Sequence, residues 1–236
     1  MLKTGSPWLR LPRNLQNQST TDPFNMTTNT STEYRLLGRT FDLAKAQPLV
    51  QFDEFDLADW ISVGTPPWHS EGSFIEGGKI GETNHGQLFY KEPFPGDVVL
   101  EFDAQVVPPC THDLIWWFRT ELKNQAWGNG YLGGLGGWYN NRAGLERAPD
   151  FKLFTSTGAF KLKPGQWYHI VSGIIDNSLF TFVDGELINE LCDPTPIPPS
   201  TPGHIGFGVY QSMARFTRLK IHRPVVETFQ EAYVGN

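Results

Sequence analysis

The chain has 236 residues, a formal net charge of -6, 24 glycines and 18 prolines, and aromatic residues make up 14%. No basic cluster stands out, which argues against nucleic acid or an anionic membrane surface as the partner. No apolar run reaches the roughly 18 residues that span a bilayer, and helix-favouring runs are scarce, so the composition points to one large all-β domain.

Residues 1–32 are polar and aperiodic and read as a flexible N-terminal arm. Their sequons at Asn17, Asn25 and Asn29 fall in a Ser/Thr/Asn-rich tract that produces such matches by composition. The N-terminus shows no apolar signal-peptide core, which favours the cytoplasm. A single domain is expected over 33–236, opening on an edge strand over Tyr34–Phe41. Short strands punctuated by glycine follow between residues 72 and 90. Val98–Val106 alternates apolar and polar residues and predicts a half-buried strand. Leu114–Leu122, Leu132–Ala143 and Phe151–Phe154 continue the series.

Four closing strands are set by Gln166–Val171, Leu179–Gly185, Gly203–Gly208 and Phe216–Ile221, with Asp184-Gly185 as a hairpin turn. Trp167 is expected in the core. Cys110 and Cys192 both lie beside prolines, and two cysteines make no disulfide framework, so free thiols are expected. No Cys/His spacing suggests a metal, and no cofactor motif is present.

The closing strands resemble those of concanavalin-A-like lectin/glucanase domains. That resemblance implies a jelly-roll β-sandwich of two antiparallel sheets, with a carbohydrate held on its concave sheet. The order of segments over about residues 50 to 223 is similar to the YesU-like group of that superfamily. It includes the Phe94-Pro95-Gly96-Asp97 turn, the aromatic and arginine segment after residue 114, and the Gly206-Phe207-Gly208 phrase. Arg119-Thr120-Glu121-Leu122 is similar to the Arg-Ser/Thr-Glu-Leu-Arg motif of family 7 alginate lyases, with Lys123 where the second Arg would stand. Glu101-Phe102-Asp103 resembles the start of a laminarinase-type acid signature, but no second Glu follows. Glu101 and Asp103 are therefore read as a structural strand face.

Strand alternation places Trp117, Arg119 and Glu121 on one face of the Leu114–Leu122 segment, and Leu114, Trp116, Phe118 and Thr120 on the core face. Trp138, Asn140 and Arg142 share one face of the next segment, with Tyr139 on the other. A Trp beside an Arg suits a sugar: the ring stacks on a pyranose face and the ion binds hydroxyls or a uronate. Trp117, Arg119, Trp138, Asn140 and Arg142 are thus the expected substrate-binding residues.

Catalysis would fall to Glu121 and Glu146 as a carboxylate pair for hydrolysis. For elimination it would fall to Tyr139 or His85 as base and acid beside an Arg or Asn. The expected partner is an acidic or plant-type oligo- or polysaccharide, and the same aromatics would equally serve a lectin-like module that performs no reaction. A structural, laminin-G-like sandwich would be favoured if Trp117 and Trp138 proved buried.

Overall fold

The computed structural model describes residues 31–64, 68–80, 85–124, 126–138 and 141–229. Two large antiparallel sheets dominate it. In spatial order one sheet holds the strands Phe154–Thr157, Arg142–Ala148, Gly130–Trp138, Leu114–Thr120, His204–Tyr210, His85–Tyr90 and Trp60–Gly64. The other runs Glu186–Cys192, Ser178–Val183, Tyr168–Ile175, Val98–Val106, Met213–Arg223, Phe74–Gly78 and His69–Ser70, and Gln47–Gln51 also pairs with Met213–Arg223. One short 3-10 turn, Leu57–Asp59, is capped by the Asp56 side chain. The jelly-roll expectation therefore holds.

The space between the sheets is filled by the alternate residues of their central strands. Trp116 and Phe118 enter it from the first sheet, and Phe102 and Phe216 from the second. Phe207 and Phe216 stack with centroids 4.2 Å apart, and Phe102 meets Phe207 edge-on at 5.2 Å. Edge-to-face and offset contacts of this kind add to simple area burial. Trp116 donates its indole N–H to Ser172 Oγ at 2.8 Å, so this buried donor is satisfied. Gly133 has to be glycine for this packing, because a Cβ there would lie 2.5 Å from Trp116 Nε1.

Several boundaries differ from expectation. The first segment is a hairpin, Glu33–Leu36 with Arg39–Asp42, turning at Gly38 with φ +68. It lays Tyr34, Leu36 and Phe41 over Val99, Val171, Phe180 and Phe182 on the outer face of the second sheet. The 132–143 segment divides into two paired strands, Gly130–Trp138 and Arg142–Ala148. Asp184-Gly185 does turn a hairpin, and its return strand Glu186–Cys192 is one that the apolar pattern missed. Trp167 is half-buried and Tyr168 takes the core position instead. Both cysteines are free.

Glu101 and Asp103 project from the outer face of the second sheet into a charged network. His222 Nε2 and Lys220 Nζ contact the two Glu101 oxygens at 2.9 and 3.2 Å. His169 Nδ1 lies 2.9 Å from Asp103 Oδ1, and Arg218 pairs with the other oxygen. Burial raises the Glu101 pKa, but the His222 hydrogen bond and the Lys220 charge outweigh burial and hold it down at about 2.

Candidate functional site

The outer face of the seven-stranded sheet carries the aromatic pocket, about 580 Å³ in volume. Its floor follows from register. Trp117 lies opposite Leu132 on one neighbour and Gly206 on the other, and Leu132 lies opposite Glu146. One row across the sheet therefore reads Gly206, Trp117, Leu132, Glu146. The row beside it reads Gln87, Gly208, Ile115 and Gly134. The glycines lower the floor between larger side chains.

Trp117 is 3% exposed, with its ring tilted against Trp127 at 5.2 Å and Phe89 at 5.8 Å. Its indole N–H donates to Gln87 Oε1 at 2.6 Å. Gly208 makes room for that amide, since a Cβ there would fall 2.1 Å from Gln87 Oε1. Trp117 thus forms part of a fixed apolar wall and is too buried for the expected stacking on a pyranose face; its burial is half of what would favour a structural sandwich, and the Trp138 side chain lies outside the described residues. Trp127, Phe151 and Tyr210 complete the aromatic lining.

Asp113 is the chemically distinctive residue of the pocket. It lies two residues before Ile115 and four before Trp117, on the same face of the sheet, and is 4% exposed. Ser212 Oγ donates to its backbone carbonyl at 3.0 Å, while its side-chain Oδ1 is buried with no hydrogen-bond partner. Gly137 fits this seat: a Cβ there would stand 2.5 Å from Oδ1. Burial, helped by the charge of Glu146, pushes the Asp113 carboxyl up to about 8. The pocket therefore holds a carboxyl that is protonated at neutral pH beside another carboxyl group of the same lining. A neutral carboxyl and a second carboxyl in one pocket can serve as proton donor and proton acceptor.

Of the residues expected from sequence, Glu146 and Trp117 come together in this pocket. Arg119 does not join them, and its expected position beside Trp117 is corrected. The step from Trp117 to Thr120 faces only Gly206 to His204 on the neighbouring strand, so one extra residue is accommodated there as a bulge. Arg119 takes φ +49 and leaves the face. Its guanidinium is buried against Asp97 Oδ1 at 3.2 Å and donates to the carbonyls of Ile197 and Gly96, each at 3.1 Å. Gly203 packs against its backbone, where a Cβ would meet Arg119 Cα at 2.5 Å.

Glu121 follows the same irregularity, pairs with Lys123 at 2.6 Å and lines a different hollow of about 220 Å³. The expected pairing of Glu121 with Glu146 is thus not formed within one pocket. Arg142 donates to the Ser156 carbonyl at 3.1 Å on the edge strand. His85 pairs with Tyr210 through the backbone, and Trp138 with Arg142. The side chains of His85 and Trp138, and all of Tyr139 and Asn140, lie outside the described residues.

Asp113, Gln87, Trp127 and Tyr210 were missed by sequence reasoning. Asp113 was within reach, because extending the Trp117, Ile115 alternation one step before the strand arrives at it. Gln87 stands between Gly86 and the apolar Leu88-Phe89, and the strand period places it on this face. Trp127 comes from a two-residue strand pairing with Leu122–Lys123, too short to leave a periodic signal.

Comparison with known proteins agrees with this architecture. A Bacillus subtilis protein of unknown function with a galectin-like fold superposes with a TM-score of 0.60 at 12% identity, covering 76% of this chain and 99% of that one. The carbohydrate-binding module CBM66 from Bacillus subtilis gives 0.54 at 15% identity, covering 70% and 96%. The potassium-bound carbohydrate recognition domain of Emp46p gives 0.52 at 11% identity, covering 77% and 97%. At these identities the likeness is one of fold. No curated protein matches the chain. Residues 47–222 match the model of the 3-keto-alpha-glucoside-1,2-lyase-like domain. This match does not itself extend to the YesU-like group or the alginate lyases. With most of its length inside the matched region, the chain belongs to the family of 3-keto-alpha-glucoside-1,2-lyase-like domains.

Proposed function

We propose that the aromatic pocket binds a glycoside whose glucosyl unit carries a ketone at C3, and that its two carboxyl groups eliminate the aglycone. The observation that carries this reading is the buried Asp113 carboxyl, its Oδ1 without a hydrogen-bond partner, in the same pocket as Glu146; burial pushes this carboxyl up to about 8. A C3 ketone acidifies the neighbouring C2–H, so a carboxylate suffices as base. Glu146 removes the C2 proton, and the electron pair becomes the C1=C2 double bond. The bond from C1 to the aglycone oxygen breaks, and that oxygen takes the proton of Asp113. No water is consumed and no oxidant is needed. Proton return from Glu146 to Asp113 restores the starting state. General acid–base groups placed in this way contribute about 10²–10⁴-fold each.

The described lining contains neither Lys nor Arg. This supports a neutral glycoside over the acidic member of the acidic or plant-type glycans expected from sequence, because among the described lining a uronate would meet the Glu146 carboxyl and no Lys or Arg. A lectin-like module is the competing reading, supported by the sugar-binding domains that share the fold.

The test is turnover of methyl 3-keto-α-glucoside, followed by the ultraviolet absorbance of the conjugated enone and by methanol release. Asp113→Asn and Glu146→Gln should each lower kcat by roughly 10²–10⁴-fold with little change in KM. Full activity in both variants overturns the assignment. Binding by the wild type with no product favours the lectin-like reading.

A further inference from the structure

Resting on that reading, we infer that the Gln87 side-chain amide donates a hydrogen bond to the C3 ketone oxygen and stabilises the negative charge that gathers there as the C2 proton leaves. The reaction needs such a group. While Glu146 takes the C2 proton, the electron pair of that C–H bond spreads onto the C3 oxygen before it settles as the C1=C2 double bond. The proton of Asp113 goes to the aglycone oxygen, and the described lining offers no Lys or Arg. The C3 oxygen is therefore left to a neutral donor.

Gln87 is 4% exposed, lines the pocket and shares a strand face with Phe89, whose ring packs on Trp117. Its orientation is settled by its partner. An indole N–H only donates, so the atom 2.6 Å from Trp117 Nε1 is the amide oxygen. The amide nitrogen, with two N–H donors, forms the other end of the group, and no described residue accepts a hydrogen bond from it. Gly208 keeps room for both ends, since a Cβ there would also stand 3.1 Å from Nε2.

The backbone beneath this amide is held from both sides, with Gln87 opposite Gly208 on one neighbour and Val63 on the other. A donor fixed in this way needs no reorganisation when charge develops, and in a buried setting it counts for more than in water. A ketone oxygen only accepts hydrogen bonds, so the donor end of an amide matches it. The other neutral donors of the lining sit further out. Trp127 is half-buried, and Tyr210 is 36% exposed, its hydroxyl oxygen accepting from Gln211 at 3.1 Å.

The first measurement is nuclear magnetic resonance on the Asp113→Asn protein, with its side-chain amides isotopically labelled at nitrogen, so that the result does not depend on turnover. The Gln87 signal is assigned through its closeness to the Trp117 indole proton. Methyl 3-keto-α-glucoside should move the Gln87 amide protons downfield. Methyl α-glucoside, which carries a hydroxyl at C3, should move them far less. The second measurement is turnover of methyl 3-keto-α-glucoside. Gln87→Met, in the otherwise unaltered protein, should lower kcat roughly 10²–10³-fold and raise KM only about 2–10-fold, because the hydrogen bond strengthens as charge develops. The amide measurement changes nothing at Gln87, so it decides the matter if Gln87→Met fails to fold.

Equal shifts with the two glycosides, or no shift with the ketone, overturn the inference. So does a folded Gln87→Met protein whose kcat stays within about threefold of wild type. Wild-type protein that turns over no 3-keto glycoside, while the ketone still shifts the Gln87 amide, defeats the elimination reading and leaves this contact standing. Normal turnover without the shift does the reverse.

Discussion

Replacing Asp113 with Asn should make the protein more stable at neutral pH while disabling it. The unfolded chain ionises this carboxyl near pH 4, whereas the folded protein keeps it protonated up to about pH 8. Between those values the folded state binds one more proton than the unfolded state, so stability falls as pH rises. The slope is about 1.4 kcal/mol per pH unit, and the loss by pH 7 is at most about 4 kcal/mol. Below pH 4 the contribution is fully present, and above pH 8 no more is lost.

Asn is nearly isosteric with the protonated carboxyl and cannot ionise, so it escapes this loss. It brings an amide donor into a seat where Oδ1 already lacks a partner, at a cost of about 1–3 kcal/mol. The variant should therefore be less stable than wild type at pH 4 and more stable at pH 7 and pH 9. The change in the difference between pH 4 and pH 7 should be about 3–4 kcal/mol. Urea denaturation at the three pH values measures this directly, with m-values confirming that the transition is unchanged. A stability difference that is the same at pH 4 and pH 7 would refute the claim that Asp113 is held protonated by its surroundings.

Two other regions give independent predictions. Arg119→Ala removes the partner of Asp97 and of two buried carbonyls, which should cost about 3–5 kcal/mol and lower Tm by roughly 6–20 °C. Affinity for the methyl glycoside, measured on the folded fraction, should stay within about threefold; a large loss of affinity at unchanged Tm would place Arg119 on the substrate instead. On the opposite sheet, Glu101 has a folded pKa of about 2, below its ordinary value. Its contribution is present above roughly pH 5 and is lost as pH falls towards 2, a decrement of about 3 kcal/mol. His222→Phe should remove much of that acid-dependent decrement, and an unchanged acid limb in denaturation would rule out the hydrogen bond as its source.

The amino-acid sequence by itself determined the sandwich. Its period-two strands, its turn residues and its supply of large aromatics dictate two sheets packed face to face, and the bounds of Val98–Val106 were legible to the residue, although the strand is buried on both faces where alternation predicted half-burial. Alternation also assigned Trp116 and Phe118 to the core and Trp117 to the outer face, because the side-chain period of a strand is a local property. The same rule failed at Arg119. There a bulge and a left-handed φ turned the side chain into the scaffold, and both depend on pairing with the distant His204–Tyr210 strand.

The proposed reacting pair was only half legible. Glu146 could be read from sequence, but the role of Asp113 depends on burial. That burial is created by Gly137, by Ser212 and by the strands around them, which are separated from Asp113 by up to 99 residues. A carboxyl's proton affinity reflects its solvent and neighbours, and tertiary packing alone supplies those. Strand alternation thus assigned Trp117 to the outer face of the sheet, and the tertiary structure decided which carboxyl on the proposed binding face would keep its proton.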